Sequence, residues 1–212
     1  GPVLTYNPSE GVRKLGSVGI AVPDTRIDIV DVETGQRSLA AGELGEIRAA
    51  GAQIMQGYRN LPEQTAEALR DGWLYTGDIG RLDEDGYLFI GDRKKEMVIV
   101  GGFNVYPREV EEALFTHSDV HEAAVVGVPD SYRGEALVAF VLADKDKVDA
   151  AALLDYLGTR LVRYKLPREI RIVEALPKTT VGKTDRKVLR DELLADPGMT
   201  PPPSPGSKDR AG

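Results

Sequence analysis

A lysine on a basic, glycine-containing loop is the first residue whose type and setting could do chemistry. Lys183 lies in the run Pro177-Lys178-Thr179-Thr180-Val181-Gly182-Lys183-Thr184-Asp185-Arg186-Lys187. Gly182 admits backbone shapes that other residues resist, and a lysine beside it is a point charge suited to a phosphate oxygen. The plainer reading is a solvated basic loop. Gly182-Lys183-Thr184 also matches the end of a phosphate-binding loop, but that pattern needs a glycine where Pro177 stands. A second candidate is Asp78, which ends the strand-like Tyr75-Thr76-Gly77-Asp78. A carboxylate there could accept two hydrogen bonds from a vicinal diol such as ribose, or it could be a turn aspartate. Asp92-Arg93-Lys94-Lys95 is a charged stretch between two apolar ones, so it is either a hinge between domains or an exposed turn. Gly101-Gly102 lets a ligand pass close to backbone with no Cβ in its way, or is a plain turn. His117 and His121 are spaced i, i+4 but lack a third ligand, and Asp119-Val120 ends a helix there, which disfavours a metal site. Asp83-Glu84-Asp85-Gly86 is too short for a calcium loop and reads as a hairpin turn.

Two kinds of scaffold must carry these residues. Residues 1–91 hold short strand signals and turns. Ile27, Ile29 and Val32 fall near a period of two, Gly45 to Arg48 begins another strand, and Trp73 to Tyr75 a third. Leu82 to Ile90 reads as a hairpin. Pro62 suits a first helical turn, followed by Ala66, Glu67 and Leu69. These features predict a twisted sheet or distorted barrel. From residue 92 the pattern alternates. Met97 to Val100 reads as a strand, and Pro107 opens a helix with Val110, Ala113 and Leu114 on one face. Ala123 to Val128 and Glu135 to Leu142 read as buried strands. Ala150 to Leu161 is a predicted helix and Ile170 to Val173 a strand. Thr184 is the expected cap of a last helix carrying Val188, Leu189 and Leu193. This predicts a small α/β unit over 92–196, with its hinge at 92–93. The tail, 197–212, contains five Pro and three Gly with almost no apolar side chains, and is expected to be disordered.

Composition narrows the function classes. Lys plus Arg is 27 against 34 Asp plus Glu, a net charge of -7, which argues against a sequence-independent nucleic-acid binder. With 42% hydrophobic and 29% charged residues the chain can bury a core. There is no cysteine, so disulfides, thiolate metal sites and a cysteine nucleophile are excluded, which fits a reducing compartment such as the cytoplasm. No apolar run is long enough to span a bilayer. The opening Gly1-Pro2-Val3-Leu4-Thr5 has no initiator Met and no signal-peptide pattern. An abrupt entry of this kind creates the expectation that the chain is the end of something longer.

Taken in order, Gly42 to Ile47, Gly57-Tyr58, Gly72 to Asp78, Gly91 to Ile99, Asn104 to Glu111 and Pro177 to Lys183 resemble the carboxyl-terminal part of the adenylate-forming enzymes. This superfamily includes acyl-CoA synthetases, adenylation domains of peptide synthetases, and beetle luciferase. Gly101 to Pro107 looks closest to the fatty-acyl-CoA synthetase branch. The resemblance covers about residues 1–195. It implies a mixed α+β or α/β fold: the β-rich end of a large AMP-binding domain, then a small mobile C-terminal domain. It also implies a two-step reaction. A fatty acid and ATP, with Mg²⁺, give acyl-AMP and pyrophosphate; coenzyme A then displaces AMP. By this resemblance Asp78 and Arg93 bind the nucleotide's ribose, Asp92 is the hinge, and Lys183 contacts the carboxylate and α-phosphate. Gly101 and Gly102 then line the pantetheine path.

The family's phosphate loop and its Mg²⁺-binding glutamate are expected upstream of Gly1, so no metal ligand is assigned here. The implied partners are fatty acid, ATP or AMP, coenzyme A and the missing N-terminal part of the same enzyme. Nucleic acid is not among them, and peripheral membrane association is left open. The fragment alone is expected to be inactive. Two alternatives stand beside this reading: an adenylation domain that loads a carrier protein, which the Pro-rich end disfavours, and a non-catalytic truncated binding or regulatory module. A luciferase-like reading is weaker, because the chain does not end in Ser-Lys-Leu.

Overall fold

The chain divides after Lys95 into two units, Gly1–Lys95 and Glu96–Gly212. The computed structural model describes residues 3–144 and 146–195. The tail expected over 197–212 lies outside the described residues. The fold class is mixed α+β and rich in strands.

The first unit contains β1 (Thr5–Tyr6), β2 (Ile20–Ala21), β3 (Arg26–Val30), β4 (Gly45–Ala50), α1 (Pro62–Ala68), β5 (Leu69–Arg70), β6 (Trp73–Leu82) and β7 (Leu88–Arg93). The five later strands form one antiparallel sheet in the order β3-β4-β6-β5, with β7 also on β6. Its core gathers Ile29, Ile47 and Leu88. The β6–β7 hairpin turns at Asp83 to Gly86, as its sequence requires. Gly86 has φ +80° and donates to the Asp83 carbonyl, while Asp83 Oδ1 accepts from the amides of Asp85 and Tyr87. Three expectations need correction. Val32 lies past the end of β3, because Asp31 gathers the amides of Thr34, Gln36 and Arg37 into a turn. Leu69 leaves the helix to pair with Leu74. Asp78 does not end its strand: β6 runs on to Leu82.

The second unit contains β8 (Val98–Val100), β9 (Phe103–Val105), α2 (Pro107–Phe115), β10 (Val120–Asp130), β11 (Gly134–Ala143), α3 (Ala150–Gly158), β12 (Glu169–Val173) and α4 (Arg186–Ala195). The long β10–β11 hairpin is buried on both faces, so its strands read as apolar runs rather than as an alternation. One face packs Val125, Leu137, Ala139 and Val141 against Val110 and Leu114 of α2 and Leu153 and Leu157 of α3. The other packs Ala124, Val126, Val138 and Phe140 against Leu189 and Leu193 of α4. The β11–β12 pairing is parallel, and α3 lies in its crossover. Asp149 caps α3 by accepting from the Ala152 amide, and that helix stops at Gly158 rather than at Leu161. The cap of α4 is Asp185, not Thr184: its Oδ1 accepts from the amides of Lys187 and Val188.

Candidate functional site

Asp78 owes its setting to a bulge. Glu46 of β4 faces Ile79 of β6 and Arg48 faces Tyr75, so the single residue Ile47 opposes Thr76, Gly77 and Asp78. Gly77 takes φ +71°, a left-handed shape that a side chain resists. Thr76 repairs the broken ladder. Its hydroxyl donates to the Ile47 carbonyl at 2.8 Å and accepts from the Asp78 amide at 3.1 Å. On its other side β6 pairs with β7, which places Asp78 directly opposite Arg93. Arg93 Nε lies 3.1 Å from Asp78 Oδ1, with the side chains 62% and 28% exposed. An exposed pair of this kind is weakly held, so both groups can be redirected to a ligand. Together they offer a diol an acceptor and a planar donor.

Asp92 stands opposite Ile79, whose side chain is fully buried, and is itself buried. It lies inside β7 and its Oδ1 accepts from the Arg93 amide at 2.7 Å. The next residue, Lys94, is tied to the same unit: its Nζ meets the buried Glu46 carboxylate at 2.8 Å. The division of the chain therefore falls four residues beyond the 91/92 boundary read from the sequence, after a strand and an ion pair have fixed residues 92–94.

The second unit holds the other candidates. Gly101 and Gly102 turn the β8–β9 hairpin with φ +58° and +86°. A Cβ at either position would meet nothing within 4 Å, so conformation and not crowding demands glycine here. The Gly101 amide donates to the Arg133 carbonyl at 2.8 Å, which ties this turn to the start of β11. Lys183 sits in a different hairpin. Lys178 and Thr184 bridge, the Thr179 amide donates to the Lys183 carbonyl at 2.7 Å, and the Gly182 amide donates to the Thr179 carbonyl at 2.9 Å. With Gly182 at φ +79° this is a three-residue loop closed by a glycine bulge. Lys183 is exposed and makes no ion pair among the described residues.

One feature was not legible in the sequence. A groove of about 290 Å³ lies beside Gly101, lined by Val100, Phe103, Tyr132, Arg133, Arg163 and Tyr164. Phe103 and Tyr164 stack at 4.4 Å. A neighbouring cavity of about 440 Å³ shares Tyr132, Arg133 and Arg163 and adds Asp130 and Arg168. Asp130 is held below the usual carboxylate range by the Arg133 amide first, then by the Tyr132 amide and Arg168. The surface combines apolar walls with guanidinium groups, which suits an anionic ligand with an organic body. The two histidines do not share a helix face. His117 packs edge-on to Tyr156, and His121, in β10, lies 3.1 Å from Asp144. Among the described residues no group of three His, Cys, Asp or Glu could hold a metal ion, and no helix is long and apolar enough to cross a membrane.

Two stretches of the chain match known families. The AMP-binding enzyme family matches residues 1–59, and the AMP-binding enzyme C-terminal domain matches residues 109–183. Both units of the chain thus carry a stretch that matches the AMP-binding enzymes. A long-chain-fatty-acid–CoA ligase of Bacillus subtilis is 49% identical over 192 residues, which is 90% of this chain and 34% of the relative. The ligase of that name from Salmonella typhimurium is 44% identical, over 90% of this chain and 34% of its own length. Among solved structures, ATP-bound MatB from Rhodopseudomonas palustris has a TM-score of 0.82 at 40% identity, covering 89% of this chain and 38% of MatB. A Mycobacterium tuberculosis fatty acyl CoA synthetase has a TM-score of 0.61 at 41% identity, covering 86% of this chain and 36% of that one. The chain spans about a third of the length of the curated relatives it matches.

Proposed function

We propose that this chain is the carboxyl-terminal part of an ATP-dependent fatty acid–CoA ligase and supplies nucleotide, hinge and cation functions to a longer enzyme. The observation that carries the reading is Lys183: an exposed amine without an ion pair among the described residues, at the end of a well-bonded hairpin. The likeness to long-chain-fatty-acid–CoA ligases supports the same assignment.

In the first step a carboxylate oxygen of the fatty acid attacks the α-phosphorus of ATP and pyrophosphate leaves. Two anions must approach, and charge then spreads over the phosphoryl oxygens. Lys183 stabilises that charge, and a single such contact is worth about 3–4 kcal/mol. Asp78 accepts hydrogen bonds from the ribose hydroxyls and Arg93 donates to the ribose. In the second step the sulfur of coenzyme A attacks the acyl carbonyl and AMP leaves with the bonding pair. The pantetheine arm passes Gly101 and Gly102, and the phosphates lie against Arg133, Arg163 and Arg168. The chain turns just beyond residues 92–94, with Asp92 as the fixed root of the hinge, so that Lys183 withdraws before the thiol enters. Mg²⁺ is assigned, on the family resemblance alone, to a glutamate outside this sequence.

The test is a pair of half-reactions. In the complete ligase Lys183→Ala should lower adenylation by at least about 100-fold, while thioester formation from supplied acyl-adenylate is largely kept. Equal loss in both removes the assigned role. The isolated chain should give no ATP–pyrophosphate exchange, and exchange above background would contradict the division of labour.

A further inference from the structure

We infer that Glu111 and Arg186 are positioning residues for Lys183, because their ion pair, formed on a buried carboxylate, fixes the root of the hairpin that presents the amine. The inference rests on the role proposed above for Lys183. Glu111 lies on α2 with its side chain only 8% exposed. Arg186 Nη2 donates to both of its carboxylate oxygens at 2.8 Å. Glu111 Oε1 also accepts from the amide of Val125, a fully buried residue of β10, at 2.8 Å. One carboxylate thus joins α2, the central strand and the first residue of α4.

The position of Arg186 gives this pair its leverage. It follows Asp185, whose amide donates to the Pro177 carbonyl at 2.8 Å and closes the hairpin base, and whose carboxylate caps α4. Lys183 is three residues away. Two other ion pairs touch the same region, Lys178 with Glu122 and Arg190 with Glu135, but both partners in each are 30–48% exposed, whereas Arg186, 33% exposed, meets a carboxylate that is only 8% exposed. A buried carboxylate is strongly disfavoured without its cation, so the Glu111–Arg186 geometry is restored whenever it is disturbed. The pair also joins the two candidate loops. Helix α2 starts at Pro107, just after the β8–β9 hairpin of Gly101 and Gly102, and α4 starts just after the hairpin of Lys183. The second unit therefore carries both loops at a fixed spacing.

Glu111→Gln is the informative change. It keeps an acceptor for the Val125 amide, and Val110 and Leu114 still dock α2, so the glycine hairpin keeps its place. The charge that Glu111 presents to Arg186 is lost. In the complete ligase, adenylation should fall about 10- to 100-fold, as expected for a misplaced reacting group. Thioester formation from supplied acyl-adenylate should stay within about threefold of the unchanged enzyme. Arg186→Gln should reproduce the split, and the double variant should be no worse than the poorer single one. In the 212-residue chain either variant should speed hydrogen exchange at the amides of Gly182, Lys183 and Asp185 but not at Val138 in the core. Equal losses in both half-reactions, additive losses in the double variant, or unchanged exchange at the hairpin would each overturn the inference. Lys183→Ala run alongside separates the two claims: if it leaves adenylation intact, the functional reading fails instead.

Discussion

Gly77→Ala isolates the backbone strain at the bulge beneath Asp78. The added Cβ would meet nothing within 4 Å, so crowding contributes nothing and the whole effect is conformational. Holding an alanine at φ +71° costs roughly 1–2 kcal/mol relative to glycine. The stiffer unfolded chain offsets about 0.4–1 kcal/mol of that. A net loss of about 1 kcal/mol remains, and with a urea slope near 1 kcal/mol per molar the midpoint of the first unit should drop by about 1 M. Trp73 is the only tryptophan in the chain. It lies in β6 between the guanidinium groups of Arg26 and Arg48, so its fluorescence follows the first unit alone. Gly158→Ala is the control, since that glycine has no left-handed φ and no neighbour within 4 Å, and it should leave the Trp73 transition unmoved. A Gly77→Ala midpoint indistinguishable from the parent chain would show that the bulge relaxes freely. The account of how Asp78 is aimed would then fail.

Further outcomes follow from the same structure. Leu193→Ala, which empties a fully buried position under α4, should destabilise the second unit by about 2–5 kcal/mol, read by far-ultraviolet circular dichroism in urea. Asp31 is held well below its ordinary 3.8, chiefly by the Thr34 amide and then by the Arg37 amide. A carboxylate depressed in the folded state contributes stability above its unfolded value and loses it as pH falls toward the folded one. The Trp73 midpoint should therefore hold from pH 6 to about pH 4.5 and drop progressively as pH falls below about 4, and drop less in Asp31→Asn. In the complete ligase Arg163→Ala should raise KM for coenzyme A several-fold with little change in adenylation, and an unchanged KM would remove the groove from the thiol path.

Much of the scaffold could be read in advance because local chemistry dictated it. The apolar runs of β10 and β11, the Asp83 to Gly86 turn, and Pro62 and Pro107 at helix starts each carry their signal within a few residues. What escaped depended on register or on distance along the chain. The bulge at Thr76 to Asp78 exists only because β4 and β6 pair out of step, and no single strand shows that. Glu111 looks like one more charge on an amphipathic helix until Arg186, 75 residues later, is folded against it. Arg133 and Arg163 meet only because β11 and the segment before β12 come together. Asp92 reads as a solvated junction residue, yet strand pairing with β6 draws it into the interior.

The placement of α4 has a cellular consequence. Leu189 and Leu193 cover Ala124, Val126, Val138 and Phe140, so the helix that follows the Lys183 hairpin also seals one side of the sheet. A polypeptide ending before this segment, through premature termination or a protease cut in the exposed loop, would leave a broad sticky surface open to water. Damaged copies would thus advertise themselves to chaperones and degradation machinery rather than persist.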